Sequence, residues 1–183
     1  MKADSLGLIE LNSIAAGLEV VDAMLKAAQV ELVLARTICS GKYLVIVTGD
    51  VAAVSASVDS GMSMVEGAVI DHTVIPRVHP DILPAVSGIS HLFETKSLGM
   101  IESFSVGSLL EAADVAAKAA NVEIVEIRLA MALGGKAFVT LSGDVSAVRA
   151  AVDAGADLVA KKGLLVNKAV IPKPEPGLYR DYI

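Results

Sequence analysis

The 183-residue sequence has no tryptophan, three phenylalanines, three tyrosines and one cysteine, Cys39. A single cysteine excludes an internal disulfide framework, and one thiol cannot hold a metal ion by itself. The scarcity of aromatics leaves Tyr43 and Phe138 as the stacking candidates that an RNA-binding sheet would need. A net charge of −6 also disfavours a phosphate backbone, so no nucleic-acid partner is expected. Long apolar runs are missing too. No uncharged stretch approaches the roughly 18 to 20 residues of a membrane-spanning helix, and no basic segment with a following apolar core marks a signal peptide. A reducing cytosolic setting without membrane attachment is expected.

What the chain does carry is aliphatic bulk. Hydrophobic residues make up 54% of it and the mean hydropathy is +0.65, contributed by Ala, Val, Ile and Leu. That exceeds the usual load of a solitary soluble domain. Burying the surplus between subunits is one remedy, so oligomerisation is expected.

The chain is one unit written twice. Leu6-Gly7-Leu8-Ile9-Glu10 returns as Leu98-Gly99-Met100-Ile101-Glu102, and a slide of 92 positions aligns 6–40 with 98–132 at 15 identities in 35. After a two-residue insertion near Leu133-Gly134, a slide of 94 aligns 41–65 with 135–159 at 13 identities in 25. Ile75-Pro76 then meets Ile171-Pro172. Repetition of this kind decides the fold.

Each unit reads strand, helix, strand, strand, helix, strand. Residues 5–11 form the first strand, and Ser13 caps a helix running to about Ala28. Leu18, Val21, Leu25 and Ala28 share one face of that helix. Glu31–Ile38 and Tyr43–Thr48 are β-branched strands separated by the Cys39 loop. Asp50 caps the next helix, with Val51, Val54 and Val58 turned inward and Gly61 weakening its end. Val69–Ile75 is the last strand, stopped by Pro76. Ser105, Asp144 and Gly155 take the matching places in the second unit. The fold class is therefore α+β, two tandem ferredoxin-like βαββαβ domains. Residues 1–84 form the first and 97–183 the second, joined by a connector over 85–96. The proline-rich tail Pro172–Gly177 is expected to be extended.

These residues resemble the shell proteins of bacterial microcompartments, in their tandem-domain class. The resemblance rests on Leu6-Gly7 with Ile9-Glu10, on Asp22 to Ala28, on Gly49-Asp50-Val51-Ala52-Ala53-Val54 and on Val74-Ile75-Pro76-Arg77. The second copy supplies Ala113-Asp114, Lys118-Ala119-Ala120, Gly143-Asp144-Val145 and Val170-Ile171-Pro172-Lys173. Both halves keep the unpermuted strand order. The resemblance implies a homotrimer that mimics a hexamer and tiles with other shell proteins around enzymes, within a cytoplasmic microcompartment. Thr37-Ile38-Cys39 followed by Gly41-Lys42 is similar to a subgroup in which this loop meets its copies on the three-fold axis. There the cysteines carry one 4Fe–4S cluster per trimer, which implies electron transfer across the shell and a redox enzyme, encapsulated or cytosolic, as a further partner.

Cys39 is thus the candidate metal ligand. The plainer reading makes it a small buried hydrophobe, but a short loop containing Ser40-Gly41-Lys42 is a poor place to bury a side chain. Three symmetry-related thiolates would suit three irons of a cubane and leave the fourth to water, a small molecule or another protein. A three-cysteine zinc site would likewise need a fourth ligand. His72, His79 and His91 have no ligand spacing to the loop. Ile38, Ser40, Gly41, Leu133, Gly134 and Gly135 are expected to line the opening, with Met131 aligned to Cys39. Ser40, Gly41 and Lys42 either tune the metal group by hydrogen bonding or simply make the turn. Lys26 and Lys118 end the first helix of each unit, where they are either solvated cations near a helix terminus or contacts at the tile edge. Glu10 and Glu102 sit at equivalent strand ends and read as structural. Gly134-Gly135-Lys136 lacks the rest of a P-loop, and no nucleophile, base or paired carboxylate is assembled, so no enzyme is expected. The other functional expectation is a passive small-metabolite pore with no metal bound.

Overall fold

The computed structural model describes residues 4–65, 67–88, 96–131, 133–175 and 177–178. In order, the first unit has β1 (Ser5–Leu11), α1 (Ile14–Ala27), β2 (Glu31–Ile38), a short 3-10 turn (Cys39–Gly41), β3 (Lys42–Gly49), α2 (Val51–Met64) and β4 (Val69–Ile75). A short helix, α3 (Ile82–Val86), follows. The second unit has β5 (Ser97–Ser103), α4 (Val106–Ala119), β6 (Val122–Arg128), β7 (Ala137–Gly143), α5 (Val145–Lys161) and β8 (Leu165–Ile171). Each unit forms one four-stranded antiparallel sheet, ordered β2-β3-β1-β4 and β6-β7-β5-β8. The registers repeat as the sequence does: Leu6 opposes Thr48, and Leu98 opposes Ser142.

The two sheets are covered differently. One face of the first sheet carries its own helices, with Ile9, Leu11, Val45 and Val47 packed on Val20, Met24 and Val58. Its other face, bearing Leu6, Leu8, Leu44, Ile46 and Ile75, joins the core of the second unit through α4. Every residue of β1 is therefore buried. On the second sheet, α4 and α5 pack on the strands, and β8 stays largely open where β4 is partly covered.

Helix starts follow capping chemistry. The Ser13 hydroxyl accepts from the Ala16 N–H at 3.3 Å, Asp50 from Ala53 at 2.9 Å and Ser105 from Ser108 at 3.1 Å. Asp144 holds the cap position of α5 without such a bond. Gly61 does not end its helix, which continues to Met64. It is a close-packing point: a Cβ there would lie 2.7 Å from Ile9 Cδ1 and 2.8 Å from Met24 Cγ.

Four sequence expectations change. The core face of α1 is Gly17, Val20 and Met24, whereas Leu18 is 60% and Leu25 40% exposed. The helix has apolar residues on more than one face, and Gly17, which lets the Tyr43 ring close over it, carries no hydrophobic signal of its own. Val51 likewise faces outward from α2, at 47% exposure. The connector is not irregular throughout: α3 spans the expected boundary at 84/85 and buries Ile82, Ala85 and Val86. The tail also bends, the Leu178 N–H donating to the Glu175 carbonyl at 2.9 Å.

Candidate functional site

The last ladder pair of the β2–β3 hairpin is Ile38 opposite Lys42, leaving Cys39, Ser40 and Gly41 to close it. That closure uses left-handed backbone. Ser40 has φ 66° and ψ 27°, and Gly41 has φ 71°. Glycine adopts this region freely, while a serine there stores a small strain. The loop is not free-standing. The Cys39 N–H donates to the Ala130 carbonyl of the second unit at 2.9 Å. Ala130, Gly134 and Gly135 of that second loop also have positive φ, at 49°, 62° and 84°. A Cβ on Gly135 would sit 3.5 Å from Ser40 Oγ. The two equivalent loops therefore lie side by side within one chain, crossed by a backbone hydrogen bond.

Beneath the loops, each unit has one lysine on one glutamate. Lys42 Nζ lies 2.8 Å from Glu10 Oε1, and Lys136 Nζ lies 2.7 Å from a Glu102 oxygen. Glu10 is fully buried and its second oxygen accepts the Val106 N–H at 3.1 Å, so it joins the loop base to the start of α4. These are structural carboxylates.

The cysteine side chain is half-buried. Among the described residues no group of three or more His, Cys, Asp or Glu stands close enough to hold a metal ion. Among the described residues the Cys39 thiol therefore stands outside any ready-made set of metal ligands. His72 is exposed and His79 lies 3.7 Å from Asp81, neither near the loop, while His91 falls outside the described residues. Ile38, at the end of β2, is 5% exposed and belongs to the core of the chain. Of the second loop, Leu133 is half-buried, Gly134 is exposed and Gly135 is covered. Met131, aligned with Cys39, is 49% exposed. Tyr43 is buried, so it offers no stacking surface.

Lys26 and Lys118 make the same helical contact, each 2.6 Å from the aspartate four residues earlier. Their settings differ. The Lys26–Asp22 pair is solvated, whereas Asp114 also accepts the His79 N–H at 2.7 Å and so binds the second unit to the first. One residue of this junction escaped sequence reasoning. Asp71 accepts from the hydroxyls of Ser105 and Ser108 at the start of α4. Its mate in the repeat is Asn167, so the duplication gave no sign of it.

No helix of the described residues is long and apolar enough to cross a membrane. The BMC domain family matches the chain twice, over residues 5–78 and 97–174. The bacterial microcompartment shell protein PduT of Citrobacter freundii is 40% identical over 181 residues, covering 99% of this chain and 98% of that one. Among solved structures, a microcompartment protein from Desulfitobacterium hafniense DCB superposes with a TM-score of 0.90 at 52% identity, covering 96% of this chain and 98% of that chain. The fused permuted hexameric shell protein MSM0275 from the RMM microcompartment gives 0.65 at 25% identity, covering 85% and 81%. A duplicated βαββαβ unit and full-length similarity to shell proteins lead to one conclusion: the chain belongs to the bacterial microcompartment shell proteins, with two BMC domains in tandem and a structural role.

Proposed function

We propose that three copies close into a ring of six BMC domains, and that their Cys39 thiolates converge on its axis to hold one 4Fe–4S cluster. The observation that carries the ring is an unmatched pair of surfaces. Within the chain, α4 docks on the first sheet and β6 packs on α3 beside it, leaving Val106, Leu110, Ala117 and Ile124 at 7% exposure or less. Their mates in the first unit, Ile14, Leu18, Leu25 and Leu32, are 40% to 60% exposed. The receiving surface has a vacant twin as well. Leu6, Leu8 and Ile75 receive α4, whereas their mates Leu98, Met100 and Ile171 line an apolar cleft together with Gly99, Ala169 and Leu178. Each chain thus offers one projecting and one receiving face, built like the junction it already satisfies internally. Repeating that junction makes a head-to-tail contact, and two units per chain reach six after three chains.

The proposed ring supplies what one chain lacks. Three Cys39 thiolates meet the demand of such a cluster for cysteine sulfur, leaving one iron open to an outside ligand. When bound, that group would supply one-electron redox chemistry across the shell, between the lumen and the cytosol, with an encapsulated or cytosolic redox enzyme as partner. The chain's own part is positioning. The bond from the Cys39 N–H to Ala130 fixes where the thiol starts, and the left-handed turn at Ser40-Gly41 keeps the loop short. Lys42 is neutralised by Glu10 and so belongs to the base of the loop. Lys26 and Lys118 are proposed to lie at the tile edge, where neighbouring shell proteins pack.

The test is anaerobic purification followed by the visible spectrum, iron per trimer and mass in solution. The reading predicts a brown trimer absorbing near about 400 nm, and Cys39→Ser that is colourless and iron-free yet still trimeric. A colourless, iron-free wild type, or iron retained in Cys39→Ser, overturns the cluster. A colourless trimer would leave the passive pore as the function.

A further inference from the structure

The turn after β4 recurs after β8. A slide of 96 positions carries Val74-Ile75-Pro76 onto Val170-Ile171-Pro172, and it goes on to match Pro80 with Pro176 and Ile82 with Leu178. The backbone repeats as well. The Ile82 N–H donates to the His79 carbonyl at 3.0 Å, and the Leu178 N–H donates to the carbonyl of Glu175, the mate of His79, at 2.9 Å. Val78 is buried in the first turn and Pro174 at the matching place in the second. The end of the chain is therefore built as a second copy of the segment that leads into α3.

What differs is the cover over the two turns. The first is clasped by the second unit: α3 packs on α4 and β6, Ile82 is fully buried, and the His79 N–H donates to Asp114 Oδ1 at 2.7 Å. Asp114 gives its other oxygen, Oδ2, to Lys118 at 2.6 Å. In the second turn Glu175 and Leu178 are both exposed. The mate of Asp114 is Asp22 on α1, which holds Lys26 through the same oxygen at the same 2.6 Å. Its side chain is 63% exposed against 8% for Asp114, and among the described residues Lys26 is its one partner. Leu25 and Leu32, the mates of the buried Ala117 and Ile124, are exposed beside it in the repeat pattern. One end of the chain thus offers an N–H and an apolar side chain, and the other offers a carboxylate oxygen and an apolar face. The clasp on Asp114 shows how such parts fit.

We propose that the turn over 175–178 clasps α1 of a neighbouring copy, the Glu175 N–H donating to Asp22 Oδ1 and Leu178 covering Leu25 and Leu32. This rests on the ring proposed above and names a contact that fastens it. Glu175 brings a carboxylate where the first turn has His79, and Lys26, already on Asp22, is the cation available to both. The clasp depends on no metal group at Cys39.

Amide hydrogen exchange and sedimentation of the full-length protein test it. Proline has no N–H, so Glu175, between Pro174 and Pro176, carries the one amide of that tripeptide and is readily resolved. In the wild-type oligomer this amide should be protected, and in Asp22→Ala, at concentrations where both proteins stay assembled, it should exchange about tenfold or more faster. Asp22→Ala should also raise the dissociation constant of each junction by about tenfold, as for the loss of one charge-assisted hydrogen bond. The denaturant midpoint of the single chain should not move, whereas Asp114→Ala, whose bond lies within the chain, should lower it. Leu178→Glu, on the other side of the contact, should weaken the junction at least as much, and it decides should Asp22→Ala fail to fold. Equal Glu175 exchange in the two assembled proteins, or a dissociation constant unchanged in folded Asp22→Ala or Leu178→Glu, overturns the clasp and leaves the ring standing. A wild type that sediments as a monomer overturns the ring and the clasp with it.

Discussion

Glu10 has no solvent exposure, and its two oxygens are divided between Lys42 Nζ and the Val106 N–H. A buried carboxylate held this way is expensive to orphan. Lys42→Met removes the cation that Glu10 contacts among the described residues and should lower chain stability by about 3–5 kcal/mol, read as a shift in denaturant midpoint at constant slope. The equivalent Lys136→Met strikes a glutamate that is 24% exposed in the single chain, and should cost about 1 kcal/mol or less. Equal losses for the two would mean that Glu102 is as deeply buried in the assembled protein as Glu10. At this scale the sequence was partly legible. Ser13, Asp50 and Ser105 were readable as caps because capping is local, a side chain bonding a backbone three residues away. Asp71 was not, since it depends on residues 34 positions apart meeting across two units.

Two glycines show how the elements are fitted. Gly61 on α2 faces the flexible ends of Ile9 and Met24, whereas a Cβ on Gly155 of α5 would lie 2.6 Å from the Ala112 carbonyl oxygen of α4. Side-chain tips can rotate away, but a helix backbone has to move as a body. Gly155→Ala should therefore cost more than Gly61→Ala, about 3 against about 1 kcal/mol, within the range of overpacked cores. Comparison of urea midpoints checks the order. Strand bounds were the most legible elements, because alternation and turn residues set them locally: β1, β2 and β4 fall where the pattern put them. The burial face of α1 was not, since an apolar helix carries more than one stripe and the sequence does not say which neighbour covers each. The helix α3 stayed hidden because five residues, one of them Pro84, are too few to show a period.

For the whole molecule, duplication announced two units and a surplus of apolar residues announced partners. It did not reveal which surfaces meet. The apolar pattern of α1 closely repeats that of α4, and only the folded chain shows one covered and the other bare. Leu18→Glu should leave the chain folded, with unchanged circular dichroism, while sedimentation shifts from the proposed trimer to monomer. Its mate Leu110 is fully buried, so Leu110→Glu should instead unfold the protein. A Leu18→Glu protein that still sediments as a trimer would refute the repeated junction.

The projecting helix and the receiving cleft sit on opposite halves of one polypeptide, which would make the proposed contact polar, like a hook and an eye. Leu18→Glu spoils only the hook, and Met100→Glu, in the cleft, spoils only the eye. Each variant alone should remain single. Mixed in equal amounts, they should join one to one and stop, because the sound hook of one finds the sound eye of the other and both free ends are blunt.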